Sequence, residues 1–287
     1  MEGQETMSRD YYTLEPDKIH LLRQHFTPGR GGAKIEFITR HHLMYIGEVE
    51  AVVNNIWNTR QASAHVVIGP RGRWGQAVYD RDTAWANAST WANPRTIAIE
   101  HSNNTGKFGG NDYHDKSWNI SDETIISGAR VAAAYCKHER LGRPVFGGNI
   151  RDHNFFTSTG CPVHLQGPRP GNAWGGKAGK YHYPWMEEAT WFFDQLEKKL
   201  VLPDGTPIAP KFPAPAPPPK EDIMAADLNT LIKVKSGKEY RARDLIEWTD
   251  DRVYEMTRAG GTLDQIKTNQ ERIEGKLDRL LGDKEEK

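Results

Sequence analysis

The side chains with the clearest chemical promise in this sequence are two histidines and a cysteine. His153 and Cys161 stand eight residues apart in a loop-like stretch, with Thr159 two residues before the thiol. Imidazole and thiolate are good zinc donors, and a catalytic Zn²⁺ takes three ligands from the protein while keeping one position open for water. This stretch supplies two, so a third must come from elsewhere. The pair His41-His42 is the candidate, because it closes the apolar run Ile35-Glu36-Phe37-Ile38-Thr39-Arg40. Along a strand the two rings point to opposite faces, so only one of them can reach a metal, and parity alone leaves both open. Glu100 ends a second apolar run, Thr96-Ile97-Ala98-Ile99. A carboxylate there is costly unless it has a partner or a task.

The elements that must position these residues alternate in type. Residues 35–40 read as a buried strand that delivers His41-His42 at its C-terminal end, where sites on open α/β sheets sit. Residues 48–59 carry Val52, Val53, Ile56 and Trp57 at helical spacing. Residues 64–68, 74–78 and 96–100 read as strands, 70–73 as a turn, and 83–87 as a loop. Residues 101–120 read as a long polar surface loop. Ser121 is placed to cap a helix that runs to near Gly142, where Pro144 prevents its return. Val145-Phe146-Gly147 reads as a last short strand, residues 167–183 as a surface segment, and Pro184 as the opening of a helix through Leu200. The first 34 residues form a polar, turn-rich arm with a short helix at 17–26. Together these predict an α/β fold, a central mixed β-sheet flanked by helices.

Composition narrows the partners. Lys and Arg number 38, as do Asp and Glu, so the zero net charge gives no reason to expect nucleic acid or an anionic membrane. Two cysteines build no disulfide framework, which leaves Cys161 free to ligate. No apolar run follows the polar N-terminus, and none has the length of a membrane helix, so neither a signal peptide nor membrane insertion is expected.

The order His41, His153, Thr159, Cys161 resembles the zinc amidases that cut peptidoglycan, the family shared by phage endolysins and peptidoglycan recognition proteins. Ser63-Ala64-His65, Ala84-Trp85 and Thr96-Ile97-Ala98-Ile99-Glu100 fall in the family's order as well. The resemblance covers about residues 35–200. It implies Zn²⁺ on His41, as the first of its pair, with His153 and Cys161. It further implies that Glu100 handles protons and that Thr159 steadies the oxyanion. Many phage relatives carry a tyrosine before the histidine of the second strand; Ala64 stands there in this chain, which puts more of the burden on Glu100. His65 itself reads as a structural strand histidine, and Trp85, Trp91, Trp118 and Trp174 read equally as groove lining or as core. The implied activity is hydrolysis of the amide between N-acetylmuramic acid and L-alanine. A non-catalytic wall-binding protein and a cytoplasmic wall-recycling amidase are the alternatives on the same fold.

After residue 202 the character changes. Residues 203–220 contain the run Pro213-Ala214-Pro215-Ala216-Pro217-Pro218-Pro219, a semi-rigid linker. Residues 221–287 read as a small helical module for wall binding or oligomerisation. Leu263, Ile266, Gln270, Ile273, Leu277 and Leu280 form a heptad seam there, which would make a homo-oligomer or pack back on residues 223–256. The expected organisation is an arm at 1–34, a catalytic domain at 35–202, the linker and the module. The expected setting is a phage-type endolysin, held in the host bacterial cytoplasm until lysis and then acting on the wall.

Overall fold

The computed structural model describes residues 9–104 and 118–208, together with the backbone of 231–233 and 239–241. The chain divides into two compact units, Met1–Lys211 and Phe212–Lys287. The proline-rich run and the whole heptad seam lie outside the described residues.

In the first unit the elements are β1 (Lys18–Ile19), β2 (Phe26–Thr27), β3 (Phe37–Leu43), α1 (Val49–Val52, continued by a π-helical turn through Val53–Trp57), β4 (Val66–Ile68), β5 (Trp74–Gln76), β6 (Thr83–Ala84), β7 (Thr96–Ser102), α2 (Asp122–His138), β8 (Ile150–Asp152) and α3 (His182–Glu197). Six strands form one mixed sheet in the order β1-β5-β4-β7-β3-β8, with β4 and β5 antiparallel and the other neighbours parallel. The expected fold class is the one observed.

Both faces of the sheet are covered, and residue parity sorts them. Ile38, Ile97, Ile99, Val66, Ile68 and Ile150 pack with α2 and α3. Leu43, Val67 and Ala98 pack with Val49, Val52, Val53 and Trp57 of the α1 segment. α2 begins as its sequence predicts. The Ser121 hydroxyl accepts from Thr124 N at 3.2 Å, Asp122 and Glu123 sit in the first turn, and Lys137 and His138 sit in the last, matching the helix dipole.

Several boundaries differ from the sequence expectation. β3 runs through the histidine pair to Leu43 instead of ending before it, and β7 reaches Ser102, because both are sandwiched between neighbouring strands. Val145-Phe146-Gly147 is not a strand; Phe146 makes a single bridge to Ile150, and the strand proper is β8. Thr83-Ala84 pairs with β2 rather than looping free. No helix forms at 17–26: β1 extends the sheet beside β5, and Tyr11 and Leu22 are buried in the two cores. In the second unit, Leu231 and Ile232 lie on β9 (Leu231–Lys233), antiparallel to β10 (Glu239–Arg241), where a helix was expected.

One buried ion pair ties the sheet edge together. Arg40 on β3 and Asp152 on β8 are direct register partners, bridged at 2.7 Å with both side chains almost fully buried. Asp152 also accepts from Gly167 N at 2.8 Å, and Arg40 donates to His182 Nδ1 at 3.1 Å. Removing one member leaves the other charge uncompensated. Arg40→Met should therefore cost about 3–5 kcal/mol in urea denaturation, and Arg40→Met with Asp152→Leu should recover most of it. A single variant within about 1 kcal/mol of the parent would contradict this role for the pair.

Candidate functional site

The parallel register decides which side chains meet. His41 pairs with Glu100 across β3 and β7, and paired residues share a face. On β8, Asp152 pairs with Arg40 on the α3 side, so the next residue, His153, turns to the face of His41 and Glu100. All three stand at the C-terminal ends of adjacent strands. The loop after β8 brings Cys161 to the same point. One donor atom from each of His41, His153 and Cys161 lies within 4.8 Å of the other two. His41 Nδ1 is 3.7 Å from Cys161 Sγ, and the two imidazole centroids are 4.5 Å apart.

His42 faces the other way. Its Nε2 meets Asn103 Oδ1 at 3.1 Å and its ring abuts the edge of Trp118. What it gives the cluster is its backbone N–H, which donates to Cys161 Sγ at 3.4 Å. Behind the site, the His101 Nδ1–H donates to the His41 carbonyl at 2.8 Å, and its Nε2 accepts from Trp185 Nε1 at 2.9 Å. By sequence His101 opens a polar surface loop; in the structure it is fully buried.

Burial sets the charge state of each group. It lowers His41 well below the usual imidazole value and brings His153 down to about 4, so both are neutral donors at pH 7. It raises the Cys161 thiol well above its ordinary value, with the Glu100 carboxyl adding to the effect. Glu100 is pushed up to about 8, with Arg60 opposing the shift, and its Oε2 is buried with no hydrogen-bond partner. The Thr159 hydroxyl accepts from Cys161 N at 3.2 Å, which leaves its own proton free to donate. His41 Nε2 and His153 Nε2 are also buried without partners. Two neutral imidazoles and a thiol whose donor atoms lie together, beside an unpaired buried carboxyl oxygen, fit a thiophilic cation such as Zn²⁺.

A cavity of about 370 Å³ holds these groups, lined by His41, Glu100, His153, Thr159 and Cys161 with Trp85 and Trp118. A larger groove of about 910 Å³ shares Arg60, Trp85 and His153 with it and leads off past Arg30 and Arg95. The four tryptophans therefore divide. Trp85 lines both spaces and Trp118 the inner one. Trp91 stacks on Phe37 and lies tilted against Phe156, and Trp174 donates to Val163 O and stacks on His164. His65 is structural: its Nδ1 accepts from Ala98 N, and its Nε2 lies 3.0 Å from Arg30 Nη2.

No sequence signal marks Asn87. It is fully buried beside both imidazoles, and in a sequence an asparagine between two alanines reads only as a loop residue.

Residues 31–164 match the family described as Amidase_2, N-acetylmuramoyl-L-alanine amidase. No curated protein matches the chain. Similar solved structures include that of PlyL, at 18% identity over 50% of this chain and 85% of that one, with a TM-score of 0.38. Staphylococcus aureus hydrolase AmiA, in complex with its ligand, is 17% identical over 67% of this chain and 90% of its own, with a TM-score of 0.40. The endolysin N-acetylmuramoyl-L-alanine amidase LysCS from Clostridium intestinale is 13% identical over 52% and 88%, with a TM-score of 0.37. The segment that holds His41, Glu100, His153, Thr159 and Cys161, residues 31–164, is thus one whose sequence matches the N-acetylmuramoyl-L-alanine amidase family.

Proposed function

We propose that this chain is a zinc-dependent peptidoglycan hydrolase of the phage-endolysin type, cutting the amide between N-acetylmuramic acid and L-alanine of the stem peptide. The observation that carries the reading is the meeting of three metal-type donors with an unpaired, buried carboxyl at one point, inside a segment matching an amidase family. His41, His153 and Cys161 would hold the cation. Zinc, when bound, supplies a Lewis acid that lowers the pKa of water to about 7 and polarises a carbonyl.

The chain's own residues do the rest. Glu100 takes the proton of the attacking water and returns it to the leaving amine of L-alanine. The free hydroxyl proton of Thr159 points its dipole at the charge that develops on the carbonyl oxygen. Trp85 and Arg60, at the junction of cavity and groove, seat the wall fragment. Catalysis is assigned to residues 35–202, a hinge to 203–220, and wall binding or oligomerisation to 221–287. Among the described residues no helix is long and apolar enough to cross a membrane. Release from the host cytoplasm at lysis, followed by action on the wall, is the setting this reading implies.

Wall hydrolysis by the purified chain tests the reading. New alanine amino termini should appear without new reducing ends, chelation should stop their release, and Cys161→Ser should abolish it together with about one bound zinc per chain. Zinc and wall binding without cleavage would leave a recognition protein. Glu100→Gln should lower kcat by about 10²- to 10⁴-fold with zinc retained, and Thr159→Ala by about 10²-fold. Equal kcat in either variant would remove that residue from the mechanism.

The raised acids make metal uptake depend on pH. The imidazoles are already neutral at pH 7, so the protons displaced come from Cys161 and Glu100. Affinity should therefore climb as pH rises and fall in acid. Calorimetry in buffers of differing ionisation enthalpy should find about one proton fewer released by Glu100→Gln than by the parent. Identical proton counts would show that Glu100 is already ionised before the metal arrives.

A further inference from the structure

Asn87, on the loop after β6, has a buried amide that nothing in the chain accounts for. The residue is fully buried, and neither its Oδ1 nor its Nδ2 has a hydrogen-bond partner. A buried amide left this way forfeits its hydration with nothing in exchange. Such a group calls for an explanation, since native interiors pair nearly all their polar atoms.

The loop spends effort to put it there. Asn87 follows β6, and its backbone N–H is fixed by Asn93 Oδ1 at 2.9 Å. Two residues earlier, Trp85 N donates to Ser63 Oγ at 2.8 Å. The next residue, Ala88, is held at φ 50°, a left-handed conformation that an alanine adopts only at a cost. The flanking residues Ala86 and Ala88 line the groove that reaches His153, and Ala86 also lines the cavity that holds His41. Between them Asn87 turns inward, approaching His41 through its side chain and His153 through its backbone.

Two further atoms in that space have no partner, His41 Nε2 and His153 Nε2. The opposite nitrogen of His41, Nδ1, is the one 3.7 Å from Cys161 Sγ. A ligating histidine generally donates its other ring N–H to a carbonyl or carboxylate, which fixes its tautomer and its aim. The unpaired Nε2 of His41 and Oδ1 of Asn87 therefore answer one another, and the Asn87 main-chain carbonyl answers Nε2 of His153.

We propose that Asn87 is the positioning residue of the metal centre. Its side-chain carbonyl accepts from Nε2–H of His41 and its main-chain carbonyl accepts from Nε2–H of His153, so that both rings present Nδ1 to the cation. One residue thereby sets the tautomers of two ligands that come from different strands. The inference rests on the metal reading given above and adds to it the residue that orients the donors.

The test uses the full chain, loaded with zinc and labelled with ¹⁵N at histidine. Both ligating rings should appear as Nε2–H tautomers with slow proton exchange. Asn87→Ala should weaken zinc, measured by chelator competition, by about 10- to 100-fold, while Asn87→Asp should stay within about threefold of the parent. The loss in Asn87→Ala should be confined to His41, whose Nε2 proton should exchange faster, because the main-chain carbonyl facing His153 survives the substitution. Unfolding of each variant in chelator checks that it folds, and the tautomers of the parent chain are read whether or not it does. An Nδ1–H tautomer on either ligand would overturn the proposal, as would parental affinity in Asn87→Ala. Equal weakening in Asn87→Asp would make the residue merely structural. A parent chain that takes up no zinc would remove the metal reading itself, and this inference with it.

Discussion

The site depends on the parallel register of β3 against β7 and β8. His41 and Glu100 share a face only because they are paired residues, and His153 joins them only because Asp152 is locked opposite Arg40. A slip of one residue would send these side chains to opposite sides of the sheet. The Arg40–Asp152 pair pins the register at the point where it matters, one residue before each histidine. Burying two charges brings little net stability, but a buried pair penalises every register that separates them. Its outer contacts reach Gly167 and His182, so the loop beyond Cys161 and the start of α3 are fixed to the same anchor.

A single physical cause explains the electrostatics. The strand ends open into a cavity walled by aromatic rings, and low polarity there favours the uncharged form of every titratable group. Imidazoles become poor bases, and the thiol and carboxyl become poor acids. The same poverty of solvent would strengthen any interaction with a cation and with developing charge. The adjoining groove, by contrast, carries Arg30, Arg60 and Arg95.

Much of the frame was legible in the sequence because it depends on local pattern. The apolar runs at 35–40 and 96–100, the cap at Ser121 and the spacing of His153 to Cys161 are properties of a few neighbouring residues. What stayed hidden depends on partners far along the chain. Choosing between His41 and His42 needs the register against Glu100, which no local pattern contains. His101 looks like loop because its burial comes from Trp185 and the His41 carbonyl. β1 looks like a helix or arm because its strand character comes entirely from lying beside β5. Asn87 looks like a turn residue because its environment is made by two strands and a loop that converge on it.

The placement of the cluster has a consequence for the order of assembly. The two apolar cores lie on either side of the sheet, and the donors sit beyond them at the strand ends. Hydrophobic burial, strand pairing and the Arg40–Asp152 anchor are complete without any contribution from a metal–ligand bond. In small zinc modules the ion is the core, and chain and metal fold in one event. If the proposed metal site is correct, the scaffold here would mature first and take its ion afterwards, like a socket finished before the part it takes. Metal supply would then gate activity in a population of molecules that are already folded, without governing how many of them fold.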